Sequence, residues 1–204
     1  MKKLILIAAT MALSSAAVAG PAWTYVDAGL VLSDTSGEDT SAGGKFTGSF
    51  GFDIFHANLS YLDIADVGVL EGEKVDFQAA RIGLGIHPAI TDNTDMVVEI
   101  GYTDAEIDID NVSDDPEPSG VDLQFGVRSM IADNFELNAT ILFFYGDTDT
   151  GSDDDLQETG LRVGGQYFFT DRFSVNASAT QGWLADNGNL DSGDSVQLGA
   201  RFSF

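Results

Sequence analysis

The chain contains no cysteine among its 204 residues. Disulfides, thiolate metal sites and thiol catalysis are therefore excluded, and the fold has to be stable without covalent cross-links. Basic residues are also scarce, since 9 Lys and Arg stand against 33 Asp and Glu for a net charge of −24. Nucleic-acid binding needs a basic footprint, so this composition excludes nucleic acid as a partner. Hydrophobic residues still make up 44% of the chain, which is too many for a disordered acidic protein.

Long apolar runs are rare as well. The run "LILIAATMAL" is too short to span a membrane as a helix; it follows Lys2 and Lys3 and precedes the small residues "AVA". This order predicts a secretory signal peptide over residues 1–19 and one mature domain over residues 20–204. Without the two lysines, seven basic residues remain against 33 acidic ones, so the mature net charge is −26.

No sustained helical periodicity follows the signal peptide, and apolar residues alternate with polar or small ones instead. Val196, Leu198 and Ala200, for example, oppose Gln197 and Gly199. Period-two alternation is typical of strands with two unlike faces. We predict ten strands, at residues 23–32, 45–55, 56–64, 74–87, 94–105, 120–131, 134–146, 157–170, 172–184 and 195–204.

The connections between these strands alternate in kind. Short ones, such as "IADN" and "FTDR", alternate with five long acidic ones, such as "TDAEIDIDNVSDDPEPSG" and "ADNGNLDSGDS". Outer-membrane barrels have short periplasmic turns and longer external loops, and their tilted strands of about ten residues cross the bilayer. We therefore predict an all-β fold, a closed antiparallel transmembrane β-barrel of about ten strands, with eight as the alternative.

The composition of the polar faces indicates which way the strands point. Gly, Ser, Thr, Asn and Gln dominate these faces, as expected for a barrel lumen, whereas a solvated sheet face would carry more Lys and Glu. Aromatic residues near the strand ends, including Trp23, Phe55 and Tyr167, fit two interfacial girdles. The rival fold is a soluble lipocalin-like barrel, which requires the apolar residues to point inward.

The chain ends in "VQLGARFSF", with Leu198, Ala200, Phe202 and Phe204 at every second position. This ending resembles the C-terminal signature of small proteobacterial outer-membrane barrels, of the OmpA-like or porin-like kind. More loosely, "ARIGLGI" and "FGVRSMIADNFELNA" are similar to the signal-factor-regulated outer-membrane barrels. The resemblance implies location in the outer membrane of a Gram-negative bacterium. The implied partners are membrane lipid, lipopolysaccharide and, during biogenesis, the barrel-insertion machinery.

Four arginines fall on the predicted strands, while Lys45 and Lys74 fall at loop edges. An arginine that faces lipid near the midplane costs about 2–4 kcal/mol, so we expect all four in the lumen beside acidic partners. Hairpins centred near residues 90 and 132 place a glutamate directly opposite two of them. The predicted ion pairs, which would plug the lumen, are Arg81 with Glu99, Arg128 with Glu136 and Asp27 with Arg201; Arg162 has no assigned partner.

Strict alternation on the fourth strand creates a conflict. If Arg81 faces inward, then Phe77 does too, and Asp76 and Gln78 face outward. Either the top of this strand stands above the lipid, or a bulge lies near Ala79 and Ala80.

The stretch "GDTDTGSDDDLQE" has acidic residues at positions of a calcium loop, but Gly151 and Ser152 break the motif and no helices flank it. A looser hypothesis is weak binding of Ca²⁺ or Mg²⁺ at the external rim, where the cation would bridge to lipopolysaccharide phosphates. The residues concerned are Asp147, Asp149, Asp153, Asp155 and Glu158. No other cofactor is expected.

His56 and His87 are the only histidines, and both are expected in periplasmic turns. Reactions of outer-membrane enzymes occur on the external side and commonly need a histidine, so we predict that this protein is not an enzyme. A structural or surface-interaction barrel with an acidic rim is the favoured function. The alternative is a narrow cation-favouring channel, and the sequence leaves the oligomeric state open.

Overall fold

The computed structural model describes residues 21–35, 40–65, 75–109, 116–148, 156–186 and 189–204. The expected signal peptide, residues 1–19, lies outside these ranges. The strands are β1 (Tyr25–Thr35), β2 (Thr40–Phe52), β3 (Phe55–Ala65), β4 (Val75–Ile86), β5 (Ala89–Thr91), β6 (Thr94–Ile109), β7 (Pro118–Ala132), β8 (Phe135–Thr148), β9 (Leu156–Phe168), β10 (Phe173–Asp186) and β11 (Asn189–Ser203). In the described part of the chain, no helix has the length and apolar character needed to cross a membrane.

The sheet closes on itself. Each long strand pairs antiparallel with the next long strand along the chain, and β4 pairs with β6 past the three-residue β5. β1 then pairs with β11 over its whole length, from Tyr25 opposite Ser203 to Thr35 opposite Gly193. The prediction of a closed antiparallel barrel is confirmed, with ten long strands rather than eight.

Alternation along each strand separates an apolar outer surface from a polar interior. Phe125, Ile141 and Leu198 are 44%, 46% and 56% exposed on the outside of the barrel. Arg162 and Asn176, by contrast, line the interior. The inner face is polar because a membrane barrel meets hydrocarbon on its outside, which reverses the arrangement of a soluble protein.

The soluble lipocalin-like alternative is therefore wrong. Such a barrel needs a dry apolar interior, yet among the described residues the buried hydrophobic side chains are only Val31, Ile64 and Val75. Large hydrophobic residues lie instead on the outer surface, where only a bilayer gives them an apolar environment.

The two ends of the barrel differ. The short-turn end holds the turns at residues 53–54, 87–93, 133–134 and 169–172, together with both chain ends of the barrel. At its first turn Asp53 adopts a φ of 53°, a left-handed conformation that Asp tolerates better than most residues. The predicted boundary between the second and third strands, at residues 55 and 56, was therefore about two residues too far along the chain.

The acidic stretch at residues 185–195, which was expected to be a loop, is mostly strand. β10 continues to Asp186 and β11 begins at Asn189, and these two residues are paired. The segment "ADNGNLDSGDS" is therefore largely the end of a hairpin. The stretch was predicted to be a loop because its composition is polar. Its backbone nevertheless continues the hydrogen-bonded pairing of β10 with β11.

The conflict on β4 is settled without a bulge. β4 pairs with β6 in one unbroken register from Val75 to Ile86. Exposure alternates through the strand, so that Phe77 faces inward while Asp76 and Gln78 are exposed. The Tyr61 hydroxyl, on the outer face of β3, donates a hydrogen bond of 2.8 Å to Gln78 Oε1.

The facing of Ile100 and Ile131 gives a matched test of membrane depth. Both are exposed on the outer surface, at 53% and 57%, but Ile100 lies within β6 and Ile131 lies beside a short turn. We expect Ile100→Arg to lower the free energy of unfolding by about 2–4 kcal/mol and Ile131→Arg by about 0–1 kcal/mol. Urea unfolding in lipid vesicles measures both, and equal costs would contradict the outward facing of β6.

Candidate functional site in the barrel lumen

The lumen contains three groups of paired charges. The first, the Arg81 group, surrounds the guanidinium that enters from β4. Arg81 Nη2 lies 2.5 Å from Glu99 Oε1, and Arg81 also donates from Nε and Nη2 to the two carboxylate oxygens of Asp122, at 2.8 and 2.5 Å. Asn58 bridges the group, because it accepts from Arg81 and donates to Glu99. His56 Nε2 lies 2.8 Å from the other oxygen of Glu99.

The predicted geometry of this pair was wrong, although Arg81 and Glu99 do meet. The residue opposite Arg81 is Thr103, and Glu99 is opposite Gly85. Arg81 reaches Glu99 by leaning along its own strand over Gly83, where a Cβ would lie 2.7 Å from both Arg81 Nη1 and Glu99 Oε1. The sequence missed Asp122 because its strand does not adjoin β4.

The second group, the Trp23 cluster, lies at the short-turn end of the lumen. It consists of Trp23, His56, His87, Asp95 and Arg128. The indole of Trp23 stacks on the rings of His56 and His87, with centroids 4.6 and 4.1 Å away, and its Nε1 donates to Asp95 at 2.8 Å. The Arg128 guanidinium lies 4.3 Å from the Trp23 ring centroid. Trp23 was expected in an interfacial girdle, and that expectation was wrong because the chain before β1 turns into the barrel.

Arg128 also forms a bidentate ion pair with Glu136. Its Nε and Nη2 donate to the two carboxylate oxygens at 2.9 and 2.8 Å, and Glu136 is 0% exposed. Glu136 is not directly opposite, since Arg128 faces Asn138 across the hairpin. A two-residue diagonal is well within the reach of an arginine. His87 lies in the turn after β4, as expected, whereas His56 lies at the start of β3, and both side chains are buried at this end of the lumen.

The third group lies at the closure of the barrel. Asp27 of β1 and Arg201 of β11 are directly opposite, and Arg201 Nε donates to Asp27 Oδ2 at 3.0 Å. Asn176 Nδ2 donates to the same oxygen at 2.5 Å. The Tyr25 ring lies 3.7 Å from the Arg201 guanidinium. This group therefore links β1, β10 and β11 from the inside.

Two cations differ from the rest. Arg162 was expected to need an acidic partner, but its hydrogen bond among the described residues is to Thr180 Oγ1 at 3.3 Å. Lys45 was expected at a loop edge, but it lies within β2 opposite Gly29 and lines the lumen. Within the described part of the chain, neither residue forms an ion pair. Both border a luminal cavity of about 210 Å³.

The remaining predicted residues lie elsewhere. Leu198, Ala200 and Phe202 face outward on β11, and the Phe204 N–H donates to the Thr24 carbonyl at 3.0 Å. Asp147 and Glu158 lie on β8 and β9, and no metal-binding group is found among the described residues. The expected divalent-cation residues Asp149, Asp153 and Asp155 lie outside the described residues.

Comparison with known families agrees with the barrel fold. The sequence model of the family described as "Outer membrane protein beta-barrel domain" matches residues 5–164. Among solved structures, the chain is similar to the NanC porin (12% identity, 88% of this chain, 100% of that chain, TM-score 0.50). It is also similar to Ail of Yersinia pestis (13% identity, 90% and 99% covered, TM-score 0.42). It spans 57% of the length of Vibrio cholerae OmpT (16% identity, 81% of this chain, TM-score 0.38). No curated protein matches the sequence.

The Arg128–Glu136 pair provides a stability test. Arg128→Leu or Glu136→Leu alone leaves a buried charge without its partner, so each should cost about 3–5 kcal/mol, while the double variant should cost much less than their sum. Chemical unfolding of the four proteins in the same vesicles measures the coupling. The exposed Arg172→Leu variant, from the turn before β10, is the control and should unfold like the unmodified protein. Additive costs would show that the two side chains are not coupled.

The Trp23 cluster also predicts a pH dependence. Burial lowers the pKa of His87, and this outweighs the opposing hydrogen bond to the Phe55 carbonyl and the nearby Asp95 carboxylate. As pH falls below about 6.5, the ordinary histidine value, the unfolded chain takes up this proton more readily than the folded one. Stability should therefore be lost on acidification through that range, and His87→Phe should flatten the loss while keeping an aromatic ring against Trp23. Unchanged slopes of unfolding free energy against pH would refute this role for His87.

Proposed function

We propose, because the chain belongs to the outer membrane protein beta-barrel domain family, that this protein is a non-enzymatic structural or surface-interaction barrel with a closed lumen. The protein is located in the outer membrane of a Gram-negative bacterium. The proposal rests chiefly on the Trp23 cluster, in which an indole held by two histidines, a carboxylate and an arginine lies across the short-turn end.

The size of the barrel supports a closed lumen. Barrels of about eight strands are filled by their own side chains, and open aqueous channels need about sixteen. Here the ten long strands enclose the Arg81 group, the Trp23 cluster and the Asp27–Arg201 pair. The part of the lumen that holds these three groups, toward the short-turn end, is called the lower lumen. A solute would have to break several charge-assisted hydrogen bonds to pass.

The environment of the histidines disfavours an enzyme. His56 uses Nε2 on Glu99, and within the described residues its Nδ1 has no hydrogen-bond partner. His87 bonds to a backbone carbonyl. A nucleophile activated by a histidine would have to be hydrogen-bonded to it, and neither ring has such a neighbour in the described part of the chain.

A narrow channel is the second candidate, and the luminal cavity of about 210 Å³ is the observation that favours it. An acidic external rim would attract cations to its mouth. Lys45 and Arg162, however, place two positive charges beside the cavity and would oppose their passage. The rim remains a proposed surface for divalent cations and lipopolysaccharide phosphates.

Planar-bilayer recording tests the closed lumen. We expect no conductance steps from the unmodified protein over a range of salt concentrations. Trp23→Ala removes the indole from the centre of its cluster and should produce steps, because the short-turn end then loses its central ring.

Phe169→Ala is the matched control, since Phe169 is an aromatic residue of a short turn that is 59% exposed on the outside. It should stay silent. Steady conductance from the unmodified protein would overturn the closed lumen and favour the channel, and the reversal potential in a salt gradient would then report its ion preference.

A further inference from the structure

The carboxylates of the lower lumen are already engaged. Asp27 is bonded to Arg201 and Asn176, while Glu99 and Asp122 share Arg81. Glu136 is bonded to Arg128 and Asp95 to Trp23. Each of these five carboxylates therefore already has a partner, and none is free to pair with a further cation.

Lys45 and Arg162 are the luminal cations that form no ion pair among the described residues. They project from walls that face each other, since β2 and β9 are separated by β1, β11 and β10 on one side and by five long strands on the other. The cavity that both residues line also holds three other arginines, Arg81, Arg128 and Arg201, and three carboxylates, Asp27, Glu99 and Glu136. Each of these carboxylates is already paired with one of those arginines, whereas Lys45 and Arg162 form no ion pair among the described residues.

Two like charges in a confined interior need an opposite charge. Removing an ion from bulk water without a partner is costly, and an anion between the two would relieve the cost. Arg162 can present a planar pair of N–H donors to an oxyanion, and Lys45 can add a point charge from the opposite wall. Neutral polar groups, including Thr47, Asn138, Ser178 and Gln197, also line the cavity beside the paired carboxylates.

We propose that Lys45 and Arg162 form a binding site inside the lumen for one small oxyanion, of the phosphate, sulfate or carboxylate class. The cavity beside them, about 210 Å³, is large enough for such an ion. The site does not rest on the proposed function, because a closed barrel and a narrow channel would both need to neutralise these charges. It is also distinct from the proposed acidic rim, whose charge would have the opposite sign.

Calorimetric titration with inorganic phosphate tests the site, with the full barrel folded in a phosphate-free detergent at constant ionic strength. We expect saturable binding of one phosphate per barrel. Lys45→Gln and Arg162→Gln should each weaken it at least about tenfold, which corresponds to the loss of one strong charge contact. Arg172→Gln, which removes an exposed cation from a short turn, should leave the affinity unchanged.

Heat-modifiable migration on gels checks that each variant is folded. Where a glutamine variant is not, the charge-keeping substitution at the same position, Lys45→Arg or Arg162→Lys, is used instead and should retain binding. Absence of saturable binding to the unmodified protein would overturn the proposal, as would an equal loss in Arg172→Gln. Binding that competes with calcium rather than with sulfate would place phosphate at the rim and would equally refute the luminal site.

Discussion

The pairing of β1 with β11 is the constraint on which the rest of the structure depends. A bilayer offers no water to an unpaired backbone group, so a sheet can cross it only when its first and last strands meet. Here the two strands pair over the whole of β1, and the Asp27–Arg201 contact with Asn176 holds the junction from the lumen. Closure fixes an inside and an outside, and every side chain on the long strands then has one of two environments.

The inside and the outside of the barrel differ in the charged residues that they hold. Most of its excess of acidic residues is distributed outside the lower lumen, whereas the interior there brings arginines, carboxylates and a lysine close to balance. This part of the lumen is thus held by short charge-assisted contacts, and Lys45 and Arg162 are the two cations lining it that form no ion pair among the described residues.

Alternation in the sequence was sufficient to predict the strands, their facing and the closed barrel, because a one-residue slip would reverse every side chain. It was not sufficient for exact register. Arg81 and Arg128 were paired with the right glutamates, but their opposite residues are Thr103 and Asn138. Turn centres read from the sequence err by a residue or two, which shifts the pairing by twice as much. Trp23 was misplaced for another reason: an aromatic residue before the first strand fits a girdle and a plug equally well, and only the path of the chain decides.

Glycines allow a few long side chains to cross the lumen of this ten-stranded barrel. Gly83 and Gly101 lie where Arg81 crosses the interior, and a Cβ at either position would collide with its guanidinium. Gly51 does the same for Trp23, whose own Cβ occupies the space. The interior is therefore filled by long side chains that lie over glycines, rather than by many side chains of medium size. The arrangement of these side chains then depends on a handful of positions, because an added methyl group at one of them would displace its neighbour.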